Sequence, residues 1–126
     1  MCIRDRLHAY NDAQGITRRF NLNLLTRMNR ELGANFDLKQ FEFYPTYDPK
    51  KGDVRSYIVS QSKQEVYFEG LNQVIPFEKD ELIYTELSKK YSLTEIDHLA
   101  MQSGFVRQEH FLDSNGDFTD SLWVKE

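Results

Sequence analysis

The stretch YNDAQGITRRFNLNLLTRMNRELGANFD, residues 10–37, decides the fold class because it carries the strongest helix signal of the chain. Apolar residues recur there every four positions, and one more widens the stripe: Ile16, Phe20, Leu24, Met28, Leu32 and Leu25. Asp12 or Thr17 is suited to cap the start, and Gly33 stands where a C-terminal cap belongs. The pattern predicts a long amphipathic helix that buries this stripe in a core.

Strand signals dominate the sequence that follows this helix. DLKQF (37–41) predicts one or two helical turns, and the aromatic and β-branched residues of 43–68 predict two or three strands. Residues 72–88 predict two more strands, with a turn near Lys79-Asp80. Ser92 and Glu95 form a capping box before a second helix that ends at Gly104, and a closing hairpin turns at Asn115-Gly116. This order indicates an α+β fold.

Composition limits the classes of partner and the compartment. The 126 residues suit one domain or part of a larger one, and a net charge of −4 gives no basic excess for nucleic acid. No apolar run approaches the roughly 20 residues that cross a bilayer, so we expect no membrane partner and no secretory leader. A lone Cys2 fits a reducing cytoplasm. The charged segment MCIRDR, residues 1–6, is interpreted as a scar or artefact that precedes the fold.

Complete catalytic chemistry is not evident in the sequence. The glycines are never closer than twelve residues, whereas a loop that cradles a nucleotide or phosphate needs several close together. His8, His98 and His110 are far apart and form no metal-ligand spacing. We therefore expect no metal site, no cofactor-binding residue and no catalytic residue in this chain. His98 is expected on a helix surface and His110 in a strand.

One polar pattern, YTELSKKYS (84–92), favours a binding site. Glu86, Ser88 and Lys90 are spaced by twos, so they leave the same side of an extended strand. Either they form a solvated strand face, or they are one wall of a polar pocket. A carboxylate and a hydroxyl about 7 Å apart could bracket a small ring with two polar nitrogens. A phenol such as Tyr10 could then bind a carboxylate group of the same ligand.

These segments resemble a known family. The pattern Tyr-x-Asp-x-x-Gly-x-Thr-x-x-Phe-Asn-x-Asn-x-Leu, the pattern Thr-Glu-x-Ser-x-Lys-Tyr (85–91) and the closing GFVRQEHFLDSNGDFTDSLW look like the C-terminal part of the histidine-specific S-adenosylmethionine-dependent methyltransferases. The resemblance implies an enzyme that trimethylates the α-amino group of L-histidine to hercynine in ergothioneine biosynthesis. It implies that Tyr10 binds the substrate carboxylate, that Glu86 and Ser88 hold the two imidazole nitrogens, and that Lys90 is structural.

The resemblance also implies a domain organisation. Residues 7–90 would be most of a small α+β substrate-recognition domain, and residues 91–126 would be the last helix and two strands of a Rossmann-like methyltransferase domain. S-adenosylmethionine would be bound by a missing N-terminal part, so the isolated chain would be inactive. Family members carry a methionine on a pocket-lining strand where Ser56 stands, which puts the choice of histidine in doubt. The alternative is a stand-alone ligand-binding module, or one subunit of an enzyme whose N-terminal half is encoded separately.

Overall fold

The computed structural model describes residues 12–125, so residues 1–6, His8 and Tyr10 lie outside the described part. In chain order the elements are α1 (Ile16–Leu32), a 3-10 turn (Leu38–Gln40), β1 (Phe41–Asp48), β2 (Asp53–Ser60), β3 (Gln64–Phe68), a second 3-10 turn (Glu69–Leu71), β4 (Gln73–Phe77), β5 (Leu82–Lys89), α2 (Leu93–Gln102), β6 (Phe105–Leu112) and β7 (Thr119–Lys125). The predicted α+β class is confirmed. The chain divides into two compact units, one ending at Ser88 and the other beginning at Lys89.

A three-stranded sheet in the order β1-β2-β5 organises the first unit. Strands β1 and β2 are antiparallel, from the pair Phe41–Ser60 to the pair Asp48–Asp53. Strand β5 lies on the other side of β2. Strands β3 and β4 form a separate antiparallel pair, so the predicted two or three strands of residues 43–68 are three.

The core of this unit is built largely from phenylalanine rings, which pack edge to face. The ring centroid of Phe36 lies 5.3 Å from that of Phe41 and 5.5 Å from that of Phe68. Phe41 in turn meets Phe77 at 5.5 Å with the ring planes 88° apart. Helix α1 contributes Leu22 and Leu25 to the same cluster. Each edge-to-face pair is worth about 0.5–1.5 kcal/mol beyond its buried area, so these rings fix how helix and sheets meet.

Helix α1 is confirmed, but its predicted buried stripe is wrong in part, because only Leu25 and Met28 of the six residues contact the core. Leu25 is fully buried and Asn21 and Leu22 are nearly so, whereas Ile16 is 54% and Phe20 73% exposed. A helix turns about 100° per residue, so a strict repeat of four drifts by about 40° at each step. The residues of the predicted stripe therefore spread around the helix instead of lining one face.

Glycine is required where α1 ends. Gly33 has φ 62° and donates its backbone N–H to the carbonyl oxygen of Met28, as predicted for a C-terminal cap. A Cβ at this position would lie 2.9 Å from Cβ of Glu69, in the second 3-10 turn. Both the left-handed conformation and the close approach of Glu69 therefore exclude a side chain.

The second unit consists of α2 and the antiparallel hairpin β6–β7. The capping box of Ser92 and Glu95 is confirmed, and the hairpin turns at residues 113–118 with Asp113 accepting backbone N–H bonds from Asn115 and Phe118. Oδ1 of Asp97 on α2 lies 3.0 Å from Nε of Arg107 and 3.1 Å from Nε2 of His110.

The predicted positions of two histidines and the expected absence of a membrane span can be compared with the structure. His110 is a strand residue and His98 is exposed on α2, as predicted. In residues 12–125 no helix combines the length and the apolar character that a membrane span requires.

Candidate functional site

Strand β5 carries the two described residues of the predicted site, Glu86 and Ser88. The hydroxyl of Thr85 meets Asn21 of α1, and Ile83 packs on the core, so odd-numbered positions up to 85 face the helix. The ring of Tyr84 lies 5.6 Å from that of Tyr57 on β2, on the opposite face of the sheet. Strict alternation would place Glu86 and Ser88 on the face of Tyr84 as well. The burial of β5 alternates only as far as Glu86, because Glu86 and Leu87 are both exposed and Ser88 and Lys89 are both half-buried.

The direction of β5 follows from its contacts with β2. The backbone N–H of Ser60 donates to the carbonyl oxygen of Glu81 at 2.9 Å, and the hydroxyl of Thr85 contacts the carbonyl oxygen of Ser56 at 3.0 Å. As β5 runs forward it passes backward along β2, so the two strands are antiparallel. Glu86 therefore lies level with Arg55, and Tyr84 with Tyr57.

A buried polar contact connects β5 with α1. Oγ1 of Thr85 lies 3.0 Å from Oδ1 of Asn21 and 3.0 Å from the carbonyl oxygen of Ser56. The amide of Asn21 donates through Nδ2 to the carbonyl oxygen of Thr17 at 3.1 Å, and Asn21 is only 5% exposed. Buried polar groups are costly unless they are paired. This contact therefore fixes the strand that carries Glu86 and Ser88 against the helix.

Sequence reasoning missed both partners of this contact. Asn21 carries a polar side chain within an amphipathic helix, where an amide is usually exposed, yet in the structure it is buried. Thr85 received no role of its own. The sequence does show an asparagine inside an amphipathic helix and a threonine next to the Glu-x-Ser pattern. No local pattern shows that these two residues contact each other.

Glu86 is exposed, and its carboxylate makes no hydrogen bond or ion pair with any residue in the described range 12–125. Ser88 is half-buried and has an interaction of its own. On the neighbouring strand, Nη2 of Arg55 binds Oδ2 of Asp53 at 3.1 Å, so this cation is already compensated. Strand β5 thus carries an exposed carboxylate that has no partner in the described range.

Ser56 does not line this face. Its side chain is 1% exposed and points to the helix side, together with Val54 and Ile58. The expectation that Ser56 stands where family members carry a pocket-lining methionine stays a prediction. Tyr57, the next residue, lies on the opposite face of β2, where its ring centroid is 5.6 Å from that of Tyr84.

Near the start of α1, Asp12 has the capping role that the sequence predicted. Its carboxylate accepts backbone N–H bonds from Thr17 at 2.9 Å and from Ile16 at 2.8 Å. Both hydrogen bonds stabilise the ionised carboxylate, and the bond from Thr17 has the larger effect. Together they lower the pKa of Asp12 from 3.8 to about 2. Tyr10 precedes this cap by two residues and lies outside the described part, so its distance from Glu86 stays untested.

The described cavities lie elsewhere. One of about 650 Å³ lies on the sheet, and its lining is Glu42, Phe43, Tyr44, Pro45, Val59, Asp80 and Leu82. Another, of about 350 Å³, lies beside α1. Neither of these two cavities is lined by Glu86 or Ser88. Lys89 is engaged with Nζ 3.5 Å from Oε1 of Glu95, and no group of three metal-ligating side chains occurs within the described range.

Comparison of the sequence with known proteins shows which family the chain belongs to. A family model described as histidine-specific methyltransferase, SAM-dependent, matches residues 4–125. The chain is 31% identical over 119 residues to a histidine N-alpha-methyltransferase of Mycolicibacterium smegmatis and 29% identical to one of Mycobacterium tuberculosis, covering 94% of this chain and 37% of each relative. It is also 29% identical to ergothioneine biosynthesis protein 1 of Schizosaccharomyces pombe, covering 15% of that relative. The chain thus spans well under half the length of these relatives.

Proposed function

Because the chain belongs to the histidine-specific, S-adenosylmethionine-dependent methyltransferase family, we propose that it is the substrate-recognition part of an enzyme that methylates the α-amino group of L-histidine. The observation that carries the proposal is the exposed carboxylate of Glu86, which has no partner in residues 12–125 and stands two residues before Ser88 on β5. In this role Glu86 and Ser88 hold the imidazole ring, and Tyr10 binds the α-carboxylate.

The chemistry of the three groups suits histidine. A carboxylate only accepts hydrogen bonds, so Glu86 takes the ring N–H, whereas the hydroxyl of Ser88 can donate to the second ring nitrogen. About 7 Å separates positions two apart on a strand, enough for a five-membered ring between them. The phenol of Tyr10 donates to the carboxylate at the other end of the substrate. Because the substrate is held at both ends, its amine takes a single orientation.

The main contribution of these residues is to orient the substrate for methyl transfer. The amine attacks only as the free base, so its proton must leave first, which favours neutral or mildly basic pH. A misplacement of about 1 Å can cost on the order of a hundredfold in rate. Glu86 therefore selects and positions the ring and is not assigned as the base.

The cofactor site is assigned to a part of the parent protein outside this chain. When bound, S-adenosylmethionine supplies the methyl group. Glycines never closer than twelve residues do not form a loop that cradles its ribose, so no residue here is proposed as a contact. The same proposal assigns residues 7–90 to the recognition domain, residues 91–126 to the end of the Rossmann-like domain, and the protein to the cytoplasm.

Exposed apolar surface supports the interpretation as a fragment. Phe20 and Ile16 are exposed on α1, and Phe111 is 51% exposed on the hairpin. Within the described range β6 and β7 pair only with each other. Unpaired strand edges and apolar patches of this kind promote association. Trp123 does not belong to this surface, because it is half-buried and its Nε1 donates to Oγ of Ser121 at 2.7 Å.

A chimera tests the proposal. This chain replaces the 119 matching residues of the M. smegmatis relative, and methyl transfer to histidine is assayed. We expect activity, and we expect Glu86→Ala to lower kcat/KM for histidine while the matched surface variant Glu42→Ala does not. A folded chimera in which Glu86→Ala leaves the preference for histidine unchanged would refute the assigned role.

One observation favours a second function, that of a stand-alone ligand-binding module or of one subunit of a split enzyme. Residues up to Ser88 build a core of their own around Phe36 and Phe41. Calorimetry of the bare chain with histidine separates the cases. We expect weak or no binding, because neither of the two cavities is lined by Glu86. Clear binding would favour the module, and a gene for a separate N-terminal half would favour the split enzyme.

A further inference from the structure

A basic cleft lies between α1 and the first 3-10 turn, on a part of the chain that the proposed function does not use. It has a volume of about 350 Å³, and its lining is Arg18, Arg19, Leu22, Asn23, Thr26, Leu38 and Lys39. Three of these side chains are cationic, two are neutral hydrogen-bonding groups and none is acidic. In a chain with a net charge of −4, this local excess of three positive charges stands out.

The cations of the cleft are not compensated. Within residues 12–125 the side chains of Arg18 and Lys39 form no ion pair or hydrogen bond, and Arg19 donates through Nη1 to the carbonyl oxygen of Gln14 at 2.9 Å. The nearby carboxylate of Asp37 does not line the cleft and instead accepts the backbone N–H of Lys39 at 3.0 Å. The cleft therefore keeps its positive charge.

The other two arginines of α1 are paired with a carboxylate. On α1 itself, Nη2 of Arg27 lies 3.0 Å and Nη2 of Arg30 2.7 Å from oxygens of Glu31. Lys63 meets Glu78 at 2.7 Å. The lack of counter-ions thus distinguishes the cleft from basic residues elsewhere on the same helix.

We propose that this cleft binds a small, multiply charged oxyanion, such as a phosphate ester or a polycarboxylate. Guanidinium groups recognise such oxyanions through paired, charge-assisted hydrogen bonds. Arg18 and Lys39, from opposite walls, supply the charge, while Asn23 and Thr26 supply neutral hydrogen bonds. The volume of about 350 Å³ lies at the lower end of the range of about 300–1,000 Å³ for small-molecule sites, which fits a compact ligand.

Titration of the chain with pyrophosphate and with citrate tests the proposal, using calorimetry at low ionic strength. We expect saturable binding that weakens with added salt. The double variant Arg18→Ala with Lys39→Ala should weaken it by about tenfold or more, since charge-assisted hydrogen bonds are lost. Both side chains are exposed, so circular dichroism should show an unchanged fold.

The matched control removes the same number of positive charges, both from α1. Arg27→Ala with Arg30→Ala deletes two cations that are already paired with Glu31, and it should leave the affinity close to that of the parent chain. Binding of pyrophosphate alone would identify phosphate as the ligand chemistry, and equal binding of citrate would extend it to carboxylates. No saturable binding of either anion, or equal weakening by the control variant, would overturn the proposal.

Discussion

Replacing Thr85 by valine tests whether the buried contact between β5 and α1 stabilises the strand that carries the predicted ligand groups. Valine keeps the shape of threonine and removes only the hydroxyl. The change deletes the contacts at 3.0 Å to Oδ1 of Asn21 and at 3.0 Å to the carbonyl oxygen of Ser56. No cavity is created, so the effect isolates hydrogen bonding.

The expected loss of unfolding free energy follows from the acceptor that Thr85→Val leaves without a hydrogen-bond donor. A hydroxyl carries one hydrogen, so it donates to only one of the two oxygens at a time, and the two contacts should not be added. Asn21 is 5% exposed, and its Oδ1 would lose the hydroxyl of Thr85 without gaining water. Leaving one buried acceptor unsatisfied costs about 1–3 kcal/mol. We expect Thr85→Val to lower the free energy of unfolding by this amount.

Urea denaturation followed by circular dichroism measures the change. Thr46→Val is the matched control, because Thr46 lies on β1 of the same sheet and its hydroxyl bonds to no residue in the described range. A double-mutant cycle with Asn21→Leu then isolates the pair. If Thr85→Val costs no more than Thr46→Val, or costs the same in the Asn21→Leu background, the contact does not stabilise the strand.

Three further predictions concern helix α1. Leu25→Ala should cost about 2–5 kcal/mol of unfolding free energy because Leu25 is fully buried, whereas Leu24→Ala on the more exposed face should cost far less; equal losses in urea denaturation would contradict the assigned face. Asp12→Asn should destabilise the helix above about pH 4, and its difference from the parent should shrink as pH falls through the folded-state pKa of about 2, where the parent's carboxylate becomes protonated too. A pH-independent difference in thermal unfolding would refute this. Gly33→Ala should cost about 1–2 kcal/mol because of its φ of 62°, and an unchanged Tm would contradict it.

Local signals predicted the elements well. The capping box of Ser92 and Glu95, the stop at Gly33 and the cap at Asp12 depend on residues a few positions apart, so the sequence displays the whole interaction. Strand boundaries followed the turns for the same reason. The second 3-10 turn, Glu69–Leu71, was not predicted because it forms against the end of α1.

Which face of α1 enters the core could not be read from the spacing alone. Both sides of the helix carry apolar residues, and the choice depends on where the phenylalanine cluster lies. That cluster collects Phe36, Phe41 and Phe77 from three separate segments. The side of the helix that meets the cluster presents Leu22 and Leu25, so Phe20 is left exposed.

The candidate site also combines local features, which the sequence predicts, with long-range contacts, which it does not. The spacing of Glu86 and Ser88 by two predicted a shared strand face, since alternation is a local rule. The contact of Thr85 with Asn21 spans 64 positions and has no local signal. The relation of Tyr10 to Glu86 is also long-range, and it stays a prediction because Tyr10 lies outside the described residues.

The central claim is that Glu86 and Ser88 each hold one nitrogen of an imidazole ring. The most direct measurement is the kcat/KM of the chimera for histidine and for its two ring-methylated forms, in which one or the other ring nitrogen is blocked. We predict that both forms are poor substrates, and that Glu86→Ala and Ser88→Ala each relax discrimination against a different one. Equal use of all three substrates, or the same change in both variants, would contradict the claim.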